Sequence, residues 1–269
     1  MDNSRQDVHL EAFGINGMTA SGVFGLQAER AVLLDVQTAT ILWARNPKAR
    51  GPVASIQKLL AALLILSSGD LDHPVTAEPS DRNIRPELKA AELGLQPGRS
   101  YRRGDLLEAM LIGSANDAAL ALARDQSGSP PAFAAAMTAL AGKLGMSDSH
   151  FLNPHGLPAD GQYSTAQDIA ALALAADAEP RIRGIVAKRR TTVAMGTGET
   201  VSLTNTNRLL GALEGCDGMK TGYTRASGAC VVASAETRYG RRIAIVLNST
   251  LPAVWDDARM LLAGTEPLP

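Results

Sequence analysis

Strand-like sequence lies at both ends of this chain and helical sequence fills the middle, an order that excludes most architectures. Near the N-terminus, RAVLLDVQTATILWARN (residues 30–46) holds two β-rich runs around the turn VQTAT, a hairpin signal. Near the C-terminus, GCDGMKTG (215–222), ACVVASAE (229–236) and RRIAIVLNS (241–249) read as consecutive strands, and DDARMLLAG (256–264) as a closing helix with a Gly stop. Helical patterns occupy 55–67, 104–113, 116–125, 131–145 and 164–177. In the second of these, Leu106, Leu107, Met110 and Leu111 recur at helical spacing. The fourth has Pro131 at its start and Gly145 at its end, and Ser164 or Thr165 suits the N-cap of the fifth. Residues 68–103 are rich in Gly, Pro, Asp and Ser and read as loops with short pieces. No strand–helix–strand alternation is present. The simplest closure joins the strands of both chain ends in one five-stranded antiparallel sheet flanked by helices, an α/β fold of the α+β kind. A helical subdomain, about 68–180, is inserted. The expected division is a lead-in (1–27), a main domain (28–264) and a tail (265–269).

Composition narrows the function classes. The 269 residues are 45% hydrophobic and 20% charged, which fits a soluble globular protein with an ample core. A net charge of −1, the lack of a basic cluster and only 4% aromatic residues argue against a nucleic-acid surface. The longest apolar run, Leu59 to Leu66, is far short of the ~20 residues that a membrane span needs. The opening, MDNSRQDVHLEAFGING, is polar and lacks the apolar stretch of a signal peptide. Cys216 and Cys230 flank a hairpin several residues out of register, so two unpaired thiols are expected. His9, His73 and His150 lack ligand spacing, so no metal is expected, and no cofactor motif is read. Met110, Met137 and Met146 sit at helical core positions.

Three short motifs carry the chemistry. In VASIQKLLAALLIL (53–66), Ser55 and Lys58 stand three residues apart at a helix start and share a face. A serine needs a base beside it, and a lysine serves once burial or a neighbouring cation lowers its pKa. Alone, the pattern equally describes a helix cap followed by a solvated lysine. IGSANDAA (112–119) presents Ser114 and Asn116 at a break between helices, where a stop and cap would also fit. DGMKTGYT (217–224) sets Lys220, Thr221 and Gly222 at the end of a strand, where a turn is the plain reading. In this order, on these elements, the three form a set that chance rarely assembles.

With that trio the sequence resembles the penicillin-recognising serine enzymes, and more closely the low-molecular-mass penicillin-binding proteins of the D-alanyl-D-alanine carboxypeptidase family. LLEAMLIGSANDAALALA, the stretch from MSDSHFLNPHGLPADGQYSTAQDIAALA, LTNTNRLLG and GCDGMKTGYTRASG extend the likeness over about residues 28–264. The resemblance implies a β-lactamase/transpeptidase-like fold and a set of roles. Ser55 would attack the carbonyl of a D-Ala–D-Ala bond, with Lys58 as base. Ser114 would relay the proton to the leaving group, and Asn116 would hold Lys58 and the substrate amide. Lys220 and Thr221 would bind the substrate carboxylate. The N–H groups of Ser55 and Tyr223 would form an oxyanion hole, and Gly222 would keep the strand edge bare for the substrate.

Two departures stand out: Gln57 precedes Lys58 where the family usually has Thr, and no Arg follows the last strand before Arg259, which leaves Arg225 or another group for the carboxylate. His155, in the turn-rich NPHG segment, is read as bracing a loop and not as a base. The implied function is a D,D-carboxypeptidase acting on peptidoglycan stem peptides and acylated by β-lactams, working in the periplasm or outside the cytoplasmic membrane. A D,D-endopeptidase uses the same residues. A β-lactamase is disfavoured because no E-x-x-L-N-type loop occurs between residues 126 and 219, and a sensor without turnover is disfavoured by the intact trio. Many members continue into a second, β-rich domain and an amphipathic anchor. Neither is read before Pro269, so a soluble catalytic domain, whole or trimmed, is expected.

Overall fold

A computed structural model describes residues 25–82, 91–196 and 198–264. The lead-in up to residue 24 and the tail 265–269 lie outside the described residues. One five-stranded antiparallel sheet joins the two ends of the chain: β1 (Arg30–Asp35), β2 (Thr40–Arg45), β7 (Cys216–Thr224), β8 (Gly228–Thr237) and β9 (Gly240–Ser249), in the order β2-β1-β9-β8-β7. Two further two-stranded sheets are present, β3 (Pro74–Thr76) with β4 (Ser100–Arg102), and β5 (Arg190–Ala194) with β6 (Thr200–Thr204). The β5–β6 hairpin is not foreseen by the sequence reading. Its residues, RTTVA and TVSLT, are half polar, and their alternation is short.

The helices are α1 (Lys58–Leu66), α2 (Arg103–Ile112), α3 (Asn116–Ser127), α4 (Pro130–Lys143), α5 (Ala166–Ala178), α6 (Pro180–Val186) and α7 (Ala253–Ala263). The short α6, capped by the Glu179 side chain on the Arg181 N–H at 3.0 Å, is likewise not foreseen. The Thr165 hydroxyl caps α5 by accepting from the Asp168 N–H at 3.0 Å.

The central strands are buried on both faces, which is why they read as continuous apolar runs. Val32, Leu34, Val232, Ile243 and Ile245 join the core under α1 and α5, while Ala31, Leu33, Val231, Ala244 and Val246 pack toward α7. This alternation is the period-2 side-chain geometry of a strand, applied to two cores at once. Helix α1 is apolar all round and almost wholly buried, packed among α2, α3, α4 and α5. A helix with no solvated face has little freedom to rotate or slide, so its N-terminus is a fixed platform. Met110, Met137 and Met146 are core residues, and both cysteines are free thiols. No described helix is long and apolar enough to cross a membrane.

Candidate active site

The N-terminus of α1, the α2–α3 connection and the edge strand β7 meet at one cleft of about 1450 Å³. Ser55 lies not in α1, where the sequence reading puts it, but in a preceding 3-10 turn, Ala54–Gln57, and Lys58 is the first residue of α1. Side chains three apart nearly eclipse in a 3-10 turn, which draws Lys58 Nζ to 2.8 Å from Ser55 Oγ. Ala54, just before the serine, holds a left-handed φ of 50°. The turn packs on β7 at Gly222. A Cβ on that glycine would stand 2.8 Å from the Ser55 nitrogen and 2.9 Å from the Ala54 Cβ. The missing side chain therefore admits the serine turn itself, a tighter demand than a bare strand edge.

Helix α2 ends at Ile112 and α3 begins at Asn116, so Ser114 sits on a three-residue connection with a φ of 61°. A non-glycine residue there is strained by about 1–3 kcal/mol, a cost that the surrounding packing sustains. Strand β7 extends to Thr224, two residues past the expected end, so Lys220, Thr221, Gly222 and Tyr223 all lie within the edge strand. Lys220 Nζ donates to Ser114 Oγ at 3.1 Å and to the Thr221 carbonyl at 3.0 Å.

All eight residues named from sequence thus come together. Lys58 Nζ reaches Asn116 Oδ1 at 2.6 Å, the His155 carbonyl at 2.9 Å and Ser114 Oγ at 3.5 Å. Ser55 Oγ also lies 3.3 Å from the same His155 carbonyl, a longer approach than its 2.8 Å to Lys58 Nζ. The His155 ring accepts from the Leu157 N–H at 3.1 Å and so braces its loop, as expected. That its carbonyl faces the lysine is a feature no side-chain motif could reveal. Thr206, whose hydroxyl lies 2.5 Å from that of Thr221, was also missed, although it stands in the LTNTNRLLG stretch.

Both lysines are fully buried without a carboxylate in hydrogen-bond contact. Burial holds the Lys58 amine well below its usual range, the nearby Lys220 lowers it further, and Asp117 opposes both. Burial alone pulls Lys220 down to about 7. Ammonium groups in such a place release their proton instead of bearing the desolvation cost, which makes an amine base available near neutral pH. The cleft carries no Asp or Glu on its described lining, and Arg208 and Arg225 line it as exposed cations. Arg208 lies over the Trp255 ring at 6.0 Å. A pocket with two cations and no anion suits an anionic ligand. Among the described residues no cluster of three or more His, Cys, Asp or Glu side chains offers a metal site.

Known proteins match this architecture. The family model described as D-alanyl-D-alanine carboxypeptidase matches residues 17–250. The D-alanyl-D-alanine carboxypeptidase DacF of Bacillus subtilis is 33% identical over 84% of this chain and 58% of its own length. DacB2 of Mycobacterium tuberculosis, another such carboxypeptidase, is 34% identical over 87% of this chain and 80% of its own. A D-alanyl-D-alanine endopeptidase of Escherichia coli is 32% identical over 75% of this chain and 65% of its own. Among solved structures, the ampicillin-bound penicillin-binding protein D2 of Listeria monocytogenes superposes with a TM-score of 0.79 at 30% identity, covering 90% of this chain and 98% of that one.

Proposed function

The chain belongs to the D-alanyl-D-alanine carboxypeptidase family, and we propose that it is a serine D,D-carboxypeptidase that removes the terminal D-Ala of peptidoglycan stem peptides through a Ser55 acyl-enzyme. The observation that carries this reading is the Lys58 amine, fully buried, 2.8 Å from Ser55 Oγ and held by uncharged acceptors. Neutral Lys58 takes the Ser55 proton as Oγ attacks the scissile carbonyl. The N–H groups of Ser55 and Tyr223 stabilise the oxyanion. The proton then passes through Ser114 Oγ, 3.5 Å from Lys58 Nζ and 3.1 Å from Lys220 Nζ, to the leaving amine of D-Ala. Water hydrolyses the ester and restores Ser55. Thr221 and Lys220 receive the substrate carboxylate, whose arrival favours the protonated form of Lys220. Arg208 and Arg225 serve where the family usually has an Arg after the last strand.

The same residues cleave cross-links if the leaving group is a second stem peptide, and the endopeptidase relative keeps that alternative in play. A β-lactamase is disfavoured by the lack of any carboxylate on the described cleft lining to activate a deacylating water. A peptidoglycan substrate places the work outside the cytoplasmic membrane. Intact-mass analysis with benzylpenicillin tests the reading: a persistent one-to-one adduct that Ser55→Ala lacks is expected. Folded native protein that takes no adduct would overturn it. Rapid drug hydrolysis would move the reading to a β-lactamase. Product analysis on monomeric and cross-linked muropeptides separates carboxypeptidase from endopeptidase.

A further inference from the structure

Gln57 immediately precedes Lys58 and is fully buried. Its Nε2 donates to the Asn153 carbonyl at 2.6 Å and lies 3.2 Å from Asn153 Oδ1 and 3.5 Å from Gln162 Oε1. Its own Oε1 is buried with no hydrogen-bond partner. An orphaned amide oxygen is destabilising and offsets part of what the bond to the Asn153 carbonyl contributes, so the net gain over an apolar side chain of the same shape is small. What a glutamine adds here beyond an apolar residue is its grip on one particular segment.

That segment is the loop from Asn153 to Leu157. Asn153 Oδ1 accepts from the Gly156 N–H at 2.8 Å, and Asn153 Nδ2 donates to the Leu157 carbonyl at 3.0 Å. Gly156, with a φ of +91°, presses so close to the serine turn that a Cβ would stand 2.1 Å from the Ala54 carbonyl oxygen. Between these anchors the His155 carbonyl points at Lys58 Nζ, 2.9 Å away. We propose that Gln57 is a positioning residue: by holding Asn153 it fixes the His155 carbonyl against Lys58 and so aims the amine's lone pair at Ser55. A neutral amine has two N–H bonds and one lone pair. Asn116 Oδ1 at 2.6 Å and the His155 carbonyl at 2.9 Å take the two hydrogens, which leaves the lone pair facing Ser55 Oγ at 2.8 Å. With the His155 carbonyl unfixed, the amine turns about its Cε–Nζ bond and its lone pair spends less time on the serine.

The inference rests on the acyl-enzyme reading above, and its test keeps the two apart. Native protein, Gln57→Met and Gln57→Ala are compared for acylation by benzylpenicillin across pH, with Ser55→Ala as the blank and thermal melts alongside. The charged groups that face Lys58, Lys220 from β7 and Asp117 from α3, are untouched in both variants. Gln57→Met should melt within about 5 °C of the native temperature, keep its non-covalent affinity for the drug within about twofold, and acylate about 10- to 100-fold more slowly. The acid limb of the rate profile should move to lower pH, because protonated Lys58 has lost a fixed acceptor. Acylation within about twofold of native, or a slower rate with an unmoved acid limb, overturns the proposal. Failure of both variants to fold also overturns it, since Gln57 would then hold the fold and not the site. Native protein that takes no adduct instead overturns the acyl-enzyme reading beneath it.

Discussion

Two cationic clusters, one partly and one fully buried, touch strand β7, and they are built on opposite principles. At one, Arg241 reaches Asp177 through Nη2 at 2.5 Å and Nε at 2.8 Å, and Asp217 through Nη1 at 2.8 Å. Hydrogen bonds to those carboxylates raise its pKa, and the guanidinium stays charged. At the other, Lys58 and Lys220 are buried among hydroxyls, carbonyls and one amide oxygen, and burial lowers both. A buried charge is paired or it is given up. The first cluster pairs its cation and ties β9 to α5 and β7. The second leaves its cations without a bonded anion, which makes a proton acceptor of Lys58. Counting ionisable residues cannot tell these two sites apart, but asking what touches each nitrogen does.

The contrast breaks most visibly at Lys58. Arginine keeps the positive charge but does not deprotonate in proteins. If Lys58 is the base, Lys58→Arg should lower benzylpenicillin acylation by about 10²–10⁴-fold in protein that is still folded by circular dichroism. Acylation near the native rate would mean that the proton of Ser55 goes elsewhere.

The other cluster should respond in the reverse sense. Asp177 is 5% exposed at its side chain and makes a two-oxygen contact with Arg241. Asp177→Ala leaves a largely buried guanidinium with only the more exposed Asp217, a loss of about 3 kcal/mol readable from urea unfolding. Acylation by the folded fraction should be unchanged. A variant as stable as the native chain would show that solvent already carries much of that charge.

A pH series sharpens the comparison further. An unfolded lysine holds its proton to about 10.4, whereas folded Lys220 releases it at about 7. Between those values the unfolded chain binds more protons, so stability rises with pH. Below about 7 both states are protonated and the folded state bears the full cost of the buried charge. Urea midpoints at about pH 6.5 and about pH 9.5 should therefore rise for native protein and rise less for Lys220→Met, with Lys58 supplying the remaining slope. Equal slopes in the two proteins would mean that Lys220 keeps its proton when buried.

The activated cluster was the more legible of the two in the sequence, and the reason is local. Ser55 and Lys58 are three residues apart, Ser114 and Asn116 two, and Lys220, Thr221 and Gly222 are consecutive, so each piece is written in one short stretch. The sheet was legible because β1, β8 and β9 are apolar on both faces. The β5–β6 hairpin and α6 were not, because short half-polar runs carry little periodicity. The His155 carbonyl was hidden because a main-chain oxygen has no residue type, and its place depends on a contact 97 residues away in sequence. The arginine cluster was hidden for the same reason. Asp177 and Asp217 lie 64 and 24 residues from Arg241, and no spacing rule joins them.

Asp217 offers the smallest and most discriminating change, because it touches Arg241 from the same strand that carries Lys220. Its side chain is 35% exposed, against 5% for Asp177, and Arg241 keeps its contacts to Asp177 when Asp217 is altered. Asp217→Asn retains the oxygen that accepts from Ser234 Oγ at 2.8 Å and removes only the charge. The expected loss is therefore about 1 kcal/mol or less, the range of partly solvated ion pairs. Acylation and its pH profile should match the native protein, since Lys220 is lowered by burial and not by this cluster. A shifted acid limb in Asp217→Asn would mean that the two clusters communicate along β7, and that the charge pairing at one end of the strand helps to set the proton affinity at the other.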